Sequence, residues 1–387
     1  MKEKEVLWTK GYLLLLIANF FSWLSYNMVT PVLTGYVENL GASLWICGLV
    51  GGLFAFTSCL SRPISGFLSD TRNRKRLMAG SNLLMAVSLL IYSVVPSIPV
   101  ILIFRGIHGV AFGISSTASL VLVSESVSER RIGEAVSYYG VMSVASMAIG
   151  PGIGIWCSEI LGYQYCLIIS TVILFAAGGA AVFFPYKISG PVKTEKVRLT
   201  WDRLIEPGLI GLGGVNASFT MMNGVVSSFL VLFAAQRGIQ GISLHFTLNA
   251  VVLILSRVIL AGVMNSWSLK QNLYPAFFTG IAALVVISQA DTLGILLLAA
   301  VLKAFAQGLS QPALQTEALK RVEPEKRGVA CSTMYIGGDL GQAVGPMLGG
   351  VVAQRAGYGN MYLLSAVPLV IALICFFIRC RRDILIK

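Results

Sequence analysis

The length of the apolar runs is the feature that most limits what this chain can fold into. Twelve such runs occur, at 11–34, 44–69, 77–95, 99–123, 133–156, 163–186, 207–235, 242–264, 273–290, 292–318, 328–353 and 358–379. At ~1.5 Å per residue, each can cross a hydrocarbon core of ~30 Å, the longer ones with tilt or with protruding ends. In lipid the backbone has to satisfy its own hydrogen bonds, so a spanning segment is either a helix or a strand of a closed barrel. The alternating ten-residue pattern of a membrane barrel is absent, which leaves helices. With 56% of its 387 residues apolar and only 12% charged, the chain has more apolar surface than a soluble domain can use. An all-α membrane protein of twelve transmembrane helices is expected.

Charge placement sets the orientation. Lys and Arg fall in alternate loops: Arg72, Arg74, Lys75 and Arg76, then Arg130 and Arg131, then Lys187 to Arg203, then Lys320 to Arg327, and both chain ends. The opposite loops hold only Arg237 and Arg355. This asymmetry places both termini in the cytoplasm, and it accounts for the net charge of +12 without a nucleic-acid partner. The first run is too long for a signal-peptide core and lacks a small-residue cleavage site, so it is expected to be a mature span. The seven cysteines show no paired metal-ligand spacing and read as small apolar residues.

The chain also matches itself at a constant displacement. Ser61-Arg62 recurs 195 residues later as Ser256-Arg257, and Ala135 recurs as Ala330. Gly150-Pro151 recurs as Gly345-Pro346, Gly154 as Gly349, and Gly162-Tyr163 as Gly357-Tyr358. Asn19 meets Asn216 at a displacement two residues larger. Two parallel six-helix bundles are therefore expected, 1–186 and 207–387, joined by a polar cytoplasmic linker at 187–206.

Three motifs carry a family resemblance. Gly66 to Arg76, GFLSDTRNRKR, resembles the cytoplasmic signature of the major facilitator superfamily, with a glycine, an aspartate four residues beyond it, and a basic turn. Asn73 stands where the family has glycine and is expected to tolerate a left-handed turn. The resemblance implies a cytoplasmic gate built from Gly66, Asp70, Arg74 and Glu125, one-sided because Asn265 replaces the aspartate in the second copy. Arg105, followed four residues later by Gly109, resembles the second signature. Gly150, Pro151 and Gly154 resemble the signature of the antiporter branch. Their repeat, Gly341, Gly345, Pro346 and Gly349, forms a small-residue stripe suited to close helix packing.

Ionisable residues inside spans are candidates for function, because a charge at mid-bilayer is costly to keep there. Asp339 and Lys303 fall near the middle of consecutive spans and are candidates for proton coupling or substrate contact, with a structural ion pair as the alternative. Arg105 and His108 are further candidates. Arg105 could equally be a structural residue bonded to carbonyls of the first helix, with Asn19 or Asn27 assisting. Asn19, Trp23, Tyr26, Asn27, Asn216, Met221 and Asn223 are expected to line a cavity, polar helix contact being the alternative for each. The resemblance implies a monomeric transporter that moves a small molecule across the cytoplasmic membrane by a rocking motion of its halves. Export by proton antiport is favoured, with proton-coupled uptake or uniport as the alternative. No cofactor is expected beyond the proton as coupling ion. An intramembrane enzyme finds no support, since HExxH, GxSxG and P-loop patterns are all absent, and a sensor would need an output domain.

Overall fold

The computed structural model describes residues 7–127, 131–183, 205–259, 267–323 and 327–385. Asn265 and residues 187–204 lie outside the described residues, as do the side chains of Gly66, Asp70 and Arg257. Twelve helices occur among the described residues. The first six are α1 (Lys10–Asn39), α2 (Leu44–Thr71), α3 (Arg74–Val94), α4 (Ile98–Glu125), α5 (Ile132–Leu161) and α6 (Tyr163–Phe183). They are followed by α7 (Ile210–Gln236), α8 (Ser243–Ile259), α9 (Leu269–Ser288), α10 (Leu293–Lys320), α11 (Arg327–Ser365) and α12 (Val367–Leu385). Large apolar side chains on their outer faces, among them Ile103, Trp156, Phe183, Phe278 and Ile371, are exposed, as lipid-facing positions require.

The boundary between the last two spans shows the repeat in the backbone. α11 continues through Gly357, whose φ of 80° and ψ of 165° break the helical path. The eleventh span therefore ends at Gly357, and the twelfth begins at Tyr358, eight residues before the turn that opens α12. Gly162, 195 residues earlier, separates α5 from α6 with φ 90° and ψ 163°. Only glycine adopts this left-handed region without strain, and the chain places one at both copies. Asn73 behaves differently from the expectation. Its φ of −67° and ψ of 109° are extended, and its side chain caps α3 by accepting from Arg76 N at 3.1 Å. An asparagine can end a turn by capping the next helix, and no left-handed residue is then needed.

The chain divides into two compact units, Met1–Leu40 with Leu53–Leu199, and Gly41–Gly52 with Thr200–Lys387. In the first unit, α1 and α5 run parallel along a seam stepped every four residues. Ser146 Oγ donates to Phe20 O at 2.8 Å. One turn on, a Cβ at Gly150 would stand 2.6 Å from Asn27 Cβ, and a Cβ at Gly154 would overlap Met28 O. Asn82 on α3 accepts from both Ser22 Oγ of α1 (3.2 Å) and Ser115 Oγ of α4 (2.9 Å), drawing three helices to one point.

The second unit repeats the seam between α7 and α11. Cβ atoms at Gly337 and Gly345 would lie 2.5 and 2.6 Å from Gly213 O and Met221 O, and one at Gly341 would overlap Ala217 O. Gly349 continues the row against Val225. The opening residues of α2 belong to this unit and lie on α11, with Gly48 and Gly52 against Pro346 and Ala343. Close packing of this kind holds helices together in lipid, where apolar burial between helices gives no advantage over contact with acyl chains.

Gly341→Ala is therefore expected to lower the unfolding temperature of the purified protein, at a cost of about 1–3 kcal/mol, because the new methyl meets both Ala217 O and Thr220 Oγ1. Gly214→Ala on the same unit, where nothing lies within 4 Å, should be neutral or stabilising. Equal effects at the two sites would show that the seam is not tightly packed.

Candidate functional site

Arg105 lies eight residues into α4 and is completely buried, as is His108 one turn further on. With Phe112 they occupy one face of the helix, at spacings of three and four. Gly109, the glycine of the Arg-to-Gly motif, lets α2 approach that face, since a Cβ there would overlap Phe54 O and Thr57 Oγ1. That close approach carries the Phe54 ring over the guanidinium, 4.7 Å from its central carbon.

Tyr26 of α1 adds a second ring at 5.8 Å and stacks on Phe54 with centroids 4.3 Å apart. Phe112 closes against both rings, at 5.0 and 5.7 Å, and Trp23 meets Phe112 edge-on at 4.9 Å. The Tyr92 hydroxyl of α3, within reach of the Arg105 charge, is engaged with His108 Nδ1 at 3.0 Å. Arg105 Nε, Nη1 and Nη2, and His108 Nε2, make no hydrogen bond to a described residue.

This arrangement differs from the structural alternative for Arg105. The guanidinium has no carbonyl partner on α1, and the two asparagines expected to assist are committed elsewhere. Asn27 Nδ2 donates to Trp23 O at 2.8 Å, one turn back on its own helix. Asn19 Nδ2 donates to Tyr139 O and Ser143 Oγ of α5, each at 3.0 Å. Asn216, its counterpart in the repeat, donates to Met334 O of α11 at 2.9 Å. Tyr139 and Met334 are themselves 195 residues apart. In both copies the amide ties the first helix of the unit to the fifth. Of the other residues expected around a cavity, Trp23 and Met221 are half-buried and Asn223 is buried.

The second unit has a buried cation of its own. Lys303 on α10 is 7% exposed, and its Nζ makes a long contact of 3.5 Å with Asn249 Oδ1 on α8. Asn249 Nδ2 in turn donates to Ala300 O at 3.0 Å. One turn earlier, the buried His245 holds Leu296 O through Nδ1 at 2.7 Å. The amides and rings of α8 thus climb α10 in four-residue steps. Lys303 is the repeat counterpart of His108, and Asn249 that of Phe54, both at 195. Asp339 is half-buried, twelve residues beyond Arg327 at the start of α11.

The contributions of Phe54, Phe112, Tyr92 and Asn249 lie outside the sequence expectations. Asn249 had a signal, since it is an amide side chain inside an apolar run. The aromatics had none, because apolar rings in apolar spans are indistinguishable from lipid-facing ones until the helices are placed. At the turn after α2, Arg74 forms an ion pair through Nη1 with Glu125 Oε1 at the end of α4. Its Nε donates to Ser69 O at 2.8 Å.

Ten helices long and apolar enough to cross a membrane and one shorter apolar helix among the described residues, duplicated in their breaks, their glycine seams and their asparagine ties, with buried cations inside the bundles, define a polytopic membrane protein. The sequence model of the Major Facilitator Superfamily matches residues 15–288 and 212–383, and the chain belongs to that superfamily. It is 27% identical over 404 residues to the multi-drug resistance efflux pump PmrA of Streptococcus pneumoniae, with 96% of each chain covered. It is 26% identical over 365 residues to the uncharacterized MFS-type transporter YhhS of Escherichia coli, covering 92% of this chain and 89% of that one. Among solved structures, a bacterial homologue of the human lysosomal transporter Spinster superposes with a TM-score of 0.77 at 15% identity, 96% of both chains being covered. That identity supports the fold alone.

The asparagine ties can be tested directly. Asn19→Ala and Asn216→Ala should each cost about 0.6–1.5 kcal/mol in unfolding experiments. Because the two ties share no partners, the double variant should show the sum. A clear departure from additivity would mean that the ties are coupled. For the Arg74–Glu125 pair, either single charge reversal should lower stability and the double reversal Arg74→Glu with Glu125→Arg should recover part of it, with a coupling energy of about 1 kcal/mol.

Proposed function

We propose that this protein is a proton-coupled antiporter that exports a small organic solute across the cytoplasmic membrane by alternating access. The observation that carries the reading is Asp339, a carboxylate twelve residues beyond Arg327 and eighteen before Gly357 on the glycine-lined α11. A carboxylate at such depth is costly to keep charged, so exchanging a proton with the two aqueous faces in turn is the chemistry it suits. Two features support export over uptake. The Gly150-Pro151 motif resembles the antiporter signature and builds the close α1–α5 seam. PmrA, matched along nearly its whole length, is described as an efflux pump.

In this reading the chain works as a monomer in the lipid bilayer with both termini cytoplasmic, binds a small-molecule solute, and uses the proton as its coupling ion without any cofactor. The two bundles, 1–186 and 207–387, are the bodies that move, and the segment 187–206 tethers them on the cytoplasmic side. The Arg74–Glu125 ion pair, with Asp70 beside it in sequence, contributes to a cytoplasmic gate. Lys303 tunes or complements the charge at Asp339 from the neighbouring helix.

Reconstituted protein tests the proposal through flux of a radiolabelled solute panel under imposed pH gradients of either sign. Antiport requires accumulation against the direction of proton flow. Asp339→Asn should abolish gradient-driven accumulation while leaving solute exchange at equal pH intact. Accumulation in the same direction as the proton would replace export with proton-coupled uptake, and an unaltered Asp339→Asn variant would move the proton to another group.

A further inference from the structure

We infer that the solute is an organic acid, its carboxylate received by Arg105 and its apolar body by the rings of Tyr26, Phe54 and Phe112. This assignment rests on the transport reading above and goes further by naming the chemistry of what is carried.

The argument starts from an imbalance. A guanidinium carries five N–H donors in a planar fork and cannot give up its charge in a protein. At Arg105 that fork is fully buried, and its three nitrogens find no acceptor in hydrogen-bonding geometry among the described residues, although the Tyr92 hydroxyl lies close enough to interact with the charge. The groups around it are neutral. Phe54, Tyr26 and Phe112 present rings, and the Tyr92 hydroxyl is engaged with His108 Nδ1. No described acidic side chain forms an ion pair with it; the described pairs are Arg74 with Glu125 and Arg321 with Glu317.

Ring faces attract a desolvated cation, but by less than the burial of an ion costs even after relaxation. The cage therefore leaves most of the cost uncovered and the planar fork without a charged acceptor. A ligand with two coplanar acceptor oxygens corrects both at once, since a carboxylate takes the fork in a bidentate pair. The aromatic wall around it suits a flat or apolar body attached to that carboxylate.

Lys303 is the natural competitor for this role, and the geometry decides against it. Its ammonium already has the Asn249 carbonyl oxygen as a partner, which ties it to the α8–α10 ladder. A point charge on a flexible stem also lacks the fork that would select a carboxylate. Arg105 is the buried cation whose planar fork lacks a charged acceptor.

The test uses the purified full-length chain at neutral pH, where simple carboxylic acids are ionised. Affinities of benzoate, phenylacetate and cinnamate, read from shifts in unfolding temperature, are compared with those of their matching amides. At least one acid should bind ten-fold or more tightly than its amide. Arg105→Gln should remove that difference, and Arg105→Lys should retain part of it. If Arg105→Gln does not fold, the acid-to-amide ratio in the unaltered protein and in Arg105→Lys decides the matter. Equal affinity for acids and amides, or an acid preference that survives Arg105→Gln, overturns the inference.

Flux of the same six compounds in proteoliposomes separates the two claims. Gradient-driven movement of amides as fast as acids sinks the acid assignment and leaves the transporter standing. Tight, Arg105-dependent acid binding without flux of any compound keeps the site and sinks the transport reading.

Discussion

Helices in a bilayer gain nothing by turning apolar side chains towards each other, because lipid is an equally good solvent for them. What holds this protein together must come from contact closer than lipid can make, and from hydrogen bonds that lipid cannot offer. Both occur along the same two seams. Where α1 meets α5, and where α7 meets α11, residues at four-residue spacing bring one backbone against the other, with Gly150 and Gly154 in the first unit and Gly337, Gly341 and Gly345 in the second. The amides of Asn19 and Asn216 bolt those seams near their starts. Removing a glycine or an amide attacks two main kinds of attraction between helices in lipid, close packing and interhelical hydrogen bonding.

The same device builds the candidate site. Gly109 brings the α2 backbone onto α4, and the close approach sets the Phe54 ring over Arg105. Packing and chemistry are therefore one feature, and the glycine of the Arg-to-Gly motif has a reason in the geometry of the charge it accompanies. The second unit uses the equivalent helices for a different purpose. At the counterparts of Phe54 and His108 it places Asn249 and Lys303, so a ring over a cation in one copy becomes an amide holding a cation in the other. Duplication kept the scaffold while the polar contents diverged.

Much of this was readable from the chain because the underlying physics is local or periodic. Hydrophobic runs of bilayer length fix the number of helices, and glycines at 162 and 357 announce the breaks that the backbone shows at φ 90° and 80°. The glycine stripes were legible as packing surfaces for the same reason, since their four-residue spacing is the helical period. Asn73 shows the limit of local reasoning. Its residue type fits both a left-handed turn and a helix cap, and the structure uses the cap.

Sequence alone determined that the protein spans a membrane with two copies of a six-helix unit, because length, hydropathy and repetition are properties a chain carries whatever its tertiary contacts. It also marked Arg105, Lys303 and Asp339 as exceptional, because a charge in an apolar run is costly wherever the helix is placed. The partners of those charges were decided by tertiary structure. Four helices contribute Tyr26, Phe54, Tyr92 and Phe112 to the surroundings of Arg105 and His108, and of these only Tyr26 was marked by the sequence, the other three being no different there from a ring facing lipid. Whether a buried cation is bonded or caged by rings depends on which helix faces are turned together. That orientation is set by contacts remote along the chain, and of the two readings open for Arg105 it leaves a guanidinium caged by rings rather than one bonded to carbonyls of the first helix.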